Sequence, residues 1–293
     1  MALLPFQDSL PHILWATAPI QGHRLNPRER IISIHIKRLR QTLLILGVAL
    51  LTAQQLAADP VPVRRTQGTF HGFLVLKTLE GKTIASGDLI QVGHGNRITS
   101  HLIFHFRDGS LDDETTVFSQ RKVFRLISDH HILRGPSFPQ PLDMRIDAAT
   151  GQIASRDKDG KITRDHLDLP PDICNGLLLT ILLNLDPAGP PVRLPMVAPT
   201  SKPRLIHIVI SAEGEHPLSI GGIRQKATNY RIKLELGGIA GVVAPIIGKQ
   251  PSDIHVWILE GEAPAFVREE GQFYEGGPIW RVELTSPVFP STP

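Results

Sequence analysis

The chain has 293 residues, 41% hydrophobic, 20% charged and 5% aromatic, which supplies apolar material for a large core and excludes disordered, collagen-like and disulfide-scaffold classes. The net charge of +3 points to an anionic partner only until it is divided along the chain. Residues 1–58 hold six Lys/Arg and two acids, leaving 25 basic and 26 acidic residues from Asp59 onward, so the body lacks the basic excess that nucleic-acid binding needs.

Lys37, Arg38 and Arg40 precede an uncharged run, Thr42 to Leu51 (TLLILGVALL), which gives way to small and polar residues ending at Ala57, Ala58 and Asp59. This is the order of a secretory signal peptide, with cleavage after Ala53, Ala57 or Ala58 and a periplasmic or secreted product. As a helix the run spans ~15 Å, about half the bilayer hydrocarbon, so no permanent membrane anchor is expected. Pro5, Pro11, Pro19 and Pro27 ahead of it read as an over-long start, with translation beginning between Leu25 and Lys37; the alternative is a long n-region. The expected organisation is thus an N-terminal extension and signal over 1–58 and an exported β domain over 59–293. A lone Cys174 offers neither an internal disulfide nor a redox motif.

From Thr69 the chain becomes a series of short alternating runs. Thr69 to Lys77, Thr83 to Val92, Arg97 to Arg107, Leu111 to Gln120 and Lys122 to Ile127 each read as a strand, separated by LEGK, GHGN, RDGS and SQR. In the third run Ile98, Leu102, Phe104 and Phe106 share one face, and Arg97, Thr99, His101, His105 and Arg107 share the other. Met144 to Ile146 and Ile153 extend the pattern through a Thr150-Gly151 turn. Strand spacing of ~8–12 residues implies an antiparallel meander, since parallel strands would need crossover helices. Asp172 to Leu185 reads as a helix between Pro170-Pro171 and Asp186-Pro187, apolar around nearly its whole circumference and therefore buried. Six prolines over 187–203 suggest a surface connection between pseudo-halves 59–186 and 204–293. Strands resume at Leu205 to Ser211, Thr228 to Leu236, Ile254 to Leu259 and Ile279 to Leu284, and Ile239 to Ile247 reads as a further strand or a flap. The expected fold is mainly β: a strongly curved antiparallel sheet, half-barrel or open barrel, with one buried apolar helix.

Chemistry-bearing patterns are sparse. Asp157 to Thr163 (DKDGKIT) matches the centre of an EF-hand loop, yet Ser155 and His166 stand where its first and last ligands belong, so a hairpin turn is the expectation; a degenerate calcium loop using Asp157 and Asp159 with Asp165 or Asp168 is the alternative. His101 and His105 lie ~13 Å apart on a strand, and His130 and His131 point to opposite faces, so no metal site is expected. Asp112, Asp113 and Glu114 read as a solvated edge that discourages edge pairing. No GxSxG elbow, SxxK or dinucleotide fingerprint is present, so no cofactor is expected.

The segments FLVLKTLEGKTIASGDLI, ITSHLIFHFRDGSLDDETTVFSQRKVFRL and RGPSFPQPLDMRID, with the later LPPDICNGL, resemble uncharacterised bacterial exported β-rich proteins whose curved sheets look like the half-barrels of periplasmic lipoprotein carriers. The resemblance implies an exported half-barrel and an apolar ligand, and it carries no catalytic residues. Physical reasoning is compatible: a curved sheet plugged by an apolar helix can hold an acyl chain or other apolar molecule between them, with Phe104, Phe106, Leu177, Ile181, Tyr230 and Ile232 as candidate lining. Two further readings stay open. One is an exported hydrolase with a loop-borne site near His130, His131 and RGPSFPQP, which a cleft of polar groups with shifted pKa values would favour. The other is a structural or interaction domain of the cell envelope, with a filled interior and an exposed apolar patch.

Overall fold

The computed structural model describes residues 60–157, 159–200, 202–220, 223–236 and 251–285. The 1–58 segment and Ile239 to Ile247 lie outside them. Fourteen strands form one antiparallel sheet: β1 (Phe70–Thr78), β2 (Thr83–His94), β3 (Arg97–Phe106), β4 (Leu111–Gln120), β5 (Phe124–Arg134), β6 (Leu142–Asp147), β7 (Gln152–Arg156), β8 (Ile162–His166), β9 (Val192–Val197), β10 (Leu205–Ile220), β11 (Ile223–Glu235), β12 (Ile254–Leu259), β13 (Ala265–Gln272) and β14 (Ile279–Thr285). One helix, α1 (Leu178–Leu182), lies between β8 and β9. No helix of the described residues is long and apolar enough to cross a membrane.

The strand order is β8 through β1, then β14 back through β9. The first and last strands therefore pair at the centre, with Leu76 opposite Val282, and the two free edges come from the middle of the chain. The segment joining those edges carries α1. The sheet curls: Phe104 of β3 meets Phe273, just after β13, with ring centroids 6.0 Å apart, and Phe106 meets Trp280 of β14 at 5.4 Å, although two further strands stand between β3 and β14 in the sheet. The inward residues of every strand from β1 to β14 except β8 and β13 join one buried core with Ile173, Leu177, Ile181 and Leu182. At ~1.5–3 kcal/mol for each fully buried large apolar side chain, this core is the main stabilising element.

The two edges are handled differently. β8 carries Thr163, Arg164, Asp165 and His166, all exposed, with Ile162 as its one apolar residue, so this edge is mainly polar. β9 is covered from within by the helix segment: Cys174 N–H donates to Pro195 O at 3.0 Å, Asn175 Nδ2 donates to Val197 O at 2.9 Å, and Val197 N–H donates to Asn175 Oδ1 at 2.8 Å. This pairing shortens the helix. The apolar stretch predicts Asp172 to Leu185, but residues 172–177 are drawn along β9 and Gly176 takes a left-handed φ of 64°, leaving helix only over Leu178–Leu182. The Pro-rich stretch 187–203 is likewise no simple connection, because β9 occupies its centre and pairs with β10.

A strap ahead of β1 fastens the helix. Asn184 Oδ1 accepts from Arg64 N–H at 3.0 Å and Arg65 N–H at 2.7 Å, and Gln120 exchanges two hydrogen bonds with the Gln67 backbone at 2.6 and 2.9 Å. At the far end of the meander Asp157 Oδ1 accepts from the backbone N–H groups of Asp159 and Lys161 at 3.0 and 2.9 Å, with Gly160 at φ 80°, so the DKDGKIT motif is a hairpin turn between β7 and β8.

Candidate functional site: an acidic cluster in an apolar cavity

The concave face and α1 enclose a cavity of about 300 Å³, at the small end of the ~300–1,000 Å³ typical of small-molecule sites. Its walls come from β1 to β6, β9, β12 to β14 and the helix, and they are mainly apolar, with Leu102, Phe104, Met144, Leu178, Val256 and Phe273 as examples. Phe70, 40% exposed, lines it as well.

Of the six lining candidates, Phe104 lines this cavity. Phe106, Leu177, Ile181 and Ile232 are buried in the core beside it, and Tyr230 lines a second cavity of about 170 Å³ with Asn184 and Pro60.

Sequence reasoning missed the polar part of the wall. Asp112, Asp113 and Glu114 do not form a solvated edge: β4 is interior to the sheet, between β3 and β5. Its alternation sends Asp113 outward, where His101 Nε2 lies 2.9 Å from its Oδ1, and turns Asp112, Glu114 and Thr116 inward with Phe118. On β5 the same alternation sends His130 outward to Asp143 at 2.9 Å and His131 inward. In register Glu114 faces His131 and Thr116 faces Asp129. His131 Nε2 stands 2.9 Å from Asp112 Oδ1, and its Nδ1 stands 4.0 Å from Glu114 Oε1. Thr116 Oγ1 donates to Asp129 Oδ1 at 3.0 Å, while Asp129 Oδ2, fully buried, has no hydrogen-bond partner. Glu269 of β13 completes the group from across the cavity. The phase of β4 counted back from Phe118 is the signal that could have revealed it.

The electrostatics follow from burial. Desolvation pushes the Asp129 carboxyl up to about 8, reinforced by Glu114 and opposed by His131 and the Thr116 hydrogen bond. Burial and the Asp112 charge push Glu269 up to about 7. Glu114 is raised by burial against the pull of His131. Burial alone would lower His131, but its bond to Asp112 and the charges of Glu114, Asp112 and Asp129 raise it to about 9. At neutral pH His131 and Asp112 are an ion pair and Asp129 holds a proton. The three carboxyls beyond Asp112 have no Lys or Arg partner among the described residues.

Among the described residues no group of three or more His, Cys, Asp or Glu is placed to hold a metal ion. Cys174 is buried, with its thiol pushed up to about 12 by burial, and is not a nucleophile.

No protein-family model matches the chain, and no curated protein matches it. The fold is similar to that of a β-barrel-like protein of a domain of unknown function, DUF1849, from Brucella abortus, with 10% identity, a TM-score of 0.41, and coverage of 78% of this chain and 98% of that chain.

Proposed function

We propose that this protein is an exported binding protein that takes an apolar or acyl-chain molecule into the cavity between its curved sheet and α1. The observation that carries this reading is the cavity itself: about 300 Å³ of space bounded mainly by aliphatic and aromatic side chains. The Lys/Arg-led apolar run before Asp59 supports export, and the resemblance to lipoprotein-carrier half-barrels supports an acyl ligand. The test is native mass spectrometry of the full chain expressed with export intact, followed by organic extraction. A stoichiometric lipid-sized adduct is expected. A clean apo mass, together with no uptake of medium-chain amphiphiles, overturns the reading.

The acidic cluster favours a second reading, hydrolysis, because a carboxyl raised to about 8 (Asp129) shares the cavity wall with Glu114 and the imidazole of His131, an arrangement suited to acid–base work. Turnover of a decyl ester or decyl glycoside that Asp129→Asn abolishes would establish it over simple binding.

A further inference from the structure

We infer that the cavity selects a ligand whose apolar body ends in a primary ammonium group, seated against Asp129, Glu114 and Glu269. This rests on the binding function proposed above and names the chemistry of its ligand.

Three observations converge. The cluster is unbalanced: Asp112 and Glu114 share the one imidazole of His131, at 2.9 and 4.0 Å, and Asp129 and Glu269 have no ion-pair partner among the described residues. Asp129 is 2% exposed, and its Oδ2 lacks any hydrogen-bond donor, an arrangement that costs folding free energy unless something else donates to it. The groups lie in the cavity wall: Glu114, Asp129 and Glu269 all line it, with apolar side chains over most of the remaining surface. An ammonium group carries three N–H donors and one charge, which answers both the missing donor and the missing cation. A carboxylate head would add a further acid to a cluster that has only one imidazole to balance it. A hydroxyl head would supply a donor without the charge.

The charged groups that act on Asp129 are Glu114 of β4 and His131 of β5, with His130 weaker from the opposite face; Glu269, across the cavity, acts on Glu114, and the helix segment presents the uncharged Gly176. Seating a cation among them favours the ionised carboxyls, so binding at neutral pH must expel protons that the empty cluster holds.

The test is calorimetric titration of the full chain with decylamine, decanol and decanoate at pH 7, in buffers of different ionisation enthalpy. An alkylammonium stays charged there, its pKa being near that of Lys at ~10.4. Decylamine is expected to bind at least about tenfold more tightly than either analogue, with release of about one proton per molecule bound. Asp129→Asn is expected to lower decylamine affinity about tenfold and decanol affinity by clearly less, and Glu269→Gln should act in the same direction. Equal or tighter binding of decanol or decanoate without proton release overturns the ammonium assignment and leaves the apolar-ligand reading standing. Failure of all three to bind overturns both.

Discussion

Gly176 packs so closely against Asp129 that a Cβ on the glycine would stand 2.9 Å from Asp129 Oδ1 and overlap the Thr116 hydroxyl. The plug segment and the acidic cluster are therefore one assembly: the backbone that leads into α1 rests on the carboxyl at the cavity wall. Its φ of 64° lies in the left-handed region, which a residue with a side chain enters only at a cost.

Gly176→Ala is accordingly expected to destabilise the fold by about 3 kcal/mol, the sum of the left-handed penalty and the overlap with Thr116. Gly160 provides the control, because its φ is 80° but no atom lies within 4 Å of its would-be Cβ. Gly160→Ala should cost only about 1 kcal/mol. Urea unfolding midpoints of the two variants check the difference. Equal losses would mean that the contact with Asp129 is slack.

Asp129→Asn is expected to stabilise the protein, and increasingly so as pH rises. A carboxyl with a folded pKa of about 8 against an unfolded value of ~3.9 takes up a proton on folding. Stability is therefore lost as pH climbs from ~4 to about 8 and levels off above it. The amide removes that slope, with a gain of about 1–4 kcal/mol at pH 7. Thermal melting of both proteins from pH 5 to 9 is the measurement, and parallel curves would contradict the assignment.

Most of the sheet was legible in the sequence, and the reasons for the misses are physical. β1, β3, β12 and β14 bury one face of apolar residues, so period-2 alternation locates them almost to the residue, and the turns on either side bound β2 and β4. β8 is exposed on both faces and has no alternation to read. β9 hides among prolines because, as an edge strand, it tolerates Pro195, whose carbonyl accepts from Cys174. β13 places Glu269 where an apolar residue would have announced a strand. The acidic cluster was lost for the same reason. Charged residues at inward positions look like solvent-facing ones until the element that encloses them is known, and that element, β13, reaches β4 and β5 only through the curl of the sheet.

Asn175→Ala should release the edge of the sheet. The side chain stands in for a neighbouring strand, donating to Val197 O and accepting from Val197 N–H, and both of its contacts are buried. Truncation leaves two backbone groups unpaired, at about 1–3 kcal/mol each. Amide hydrogen exchange should accelerate first at Val197 and along β9 while β2 and β3 keep their protection. Uniform acceleration across the sheet would show instead that β9 opens only with global unfolding.

His131 and Asp112 make the sharpest prediction, because their pairing has a definite pH signature. A histidine with a folded pKa of about 9 against an unfolded value of ~6.5 contributes stability that is fully present below pH ~6.5 and is lost as pH rises through about 9. His131→Gln leaves Asp112, 5% exposed, as an unpaired charge, and the expected loss at pH 6 is about 3–5 kcal/mol. Adding Asp112→Asn should recover much of it, since the orphaned charge goes with its partner, and the coupling in the double-mutant cycle should fall sharply between pH 6 and pH 10. Additive losses at pH 6 would mean that the 2.9 Å contact between the imidazole and the carboxylate contributes nothing, and that the cluster is held by burial alone.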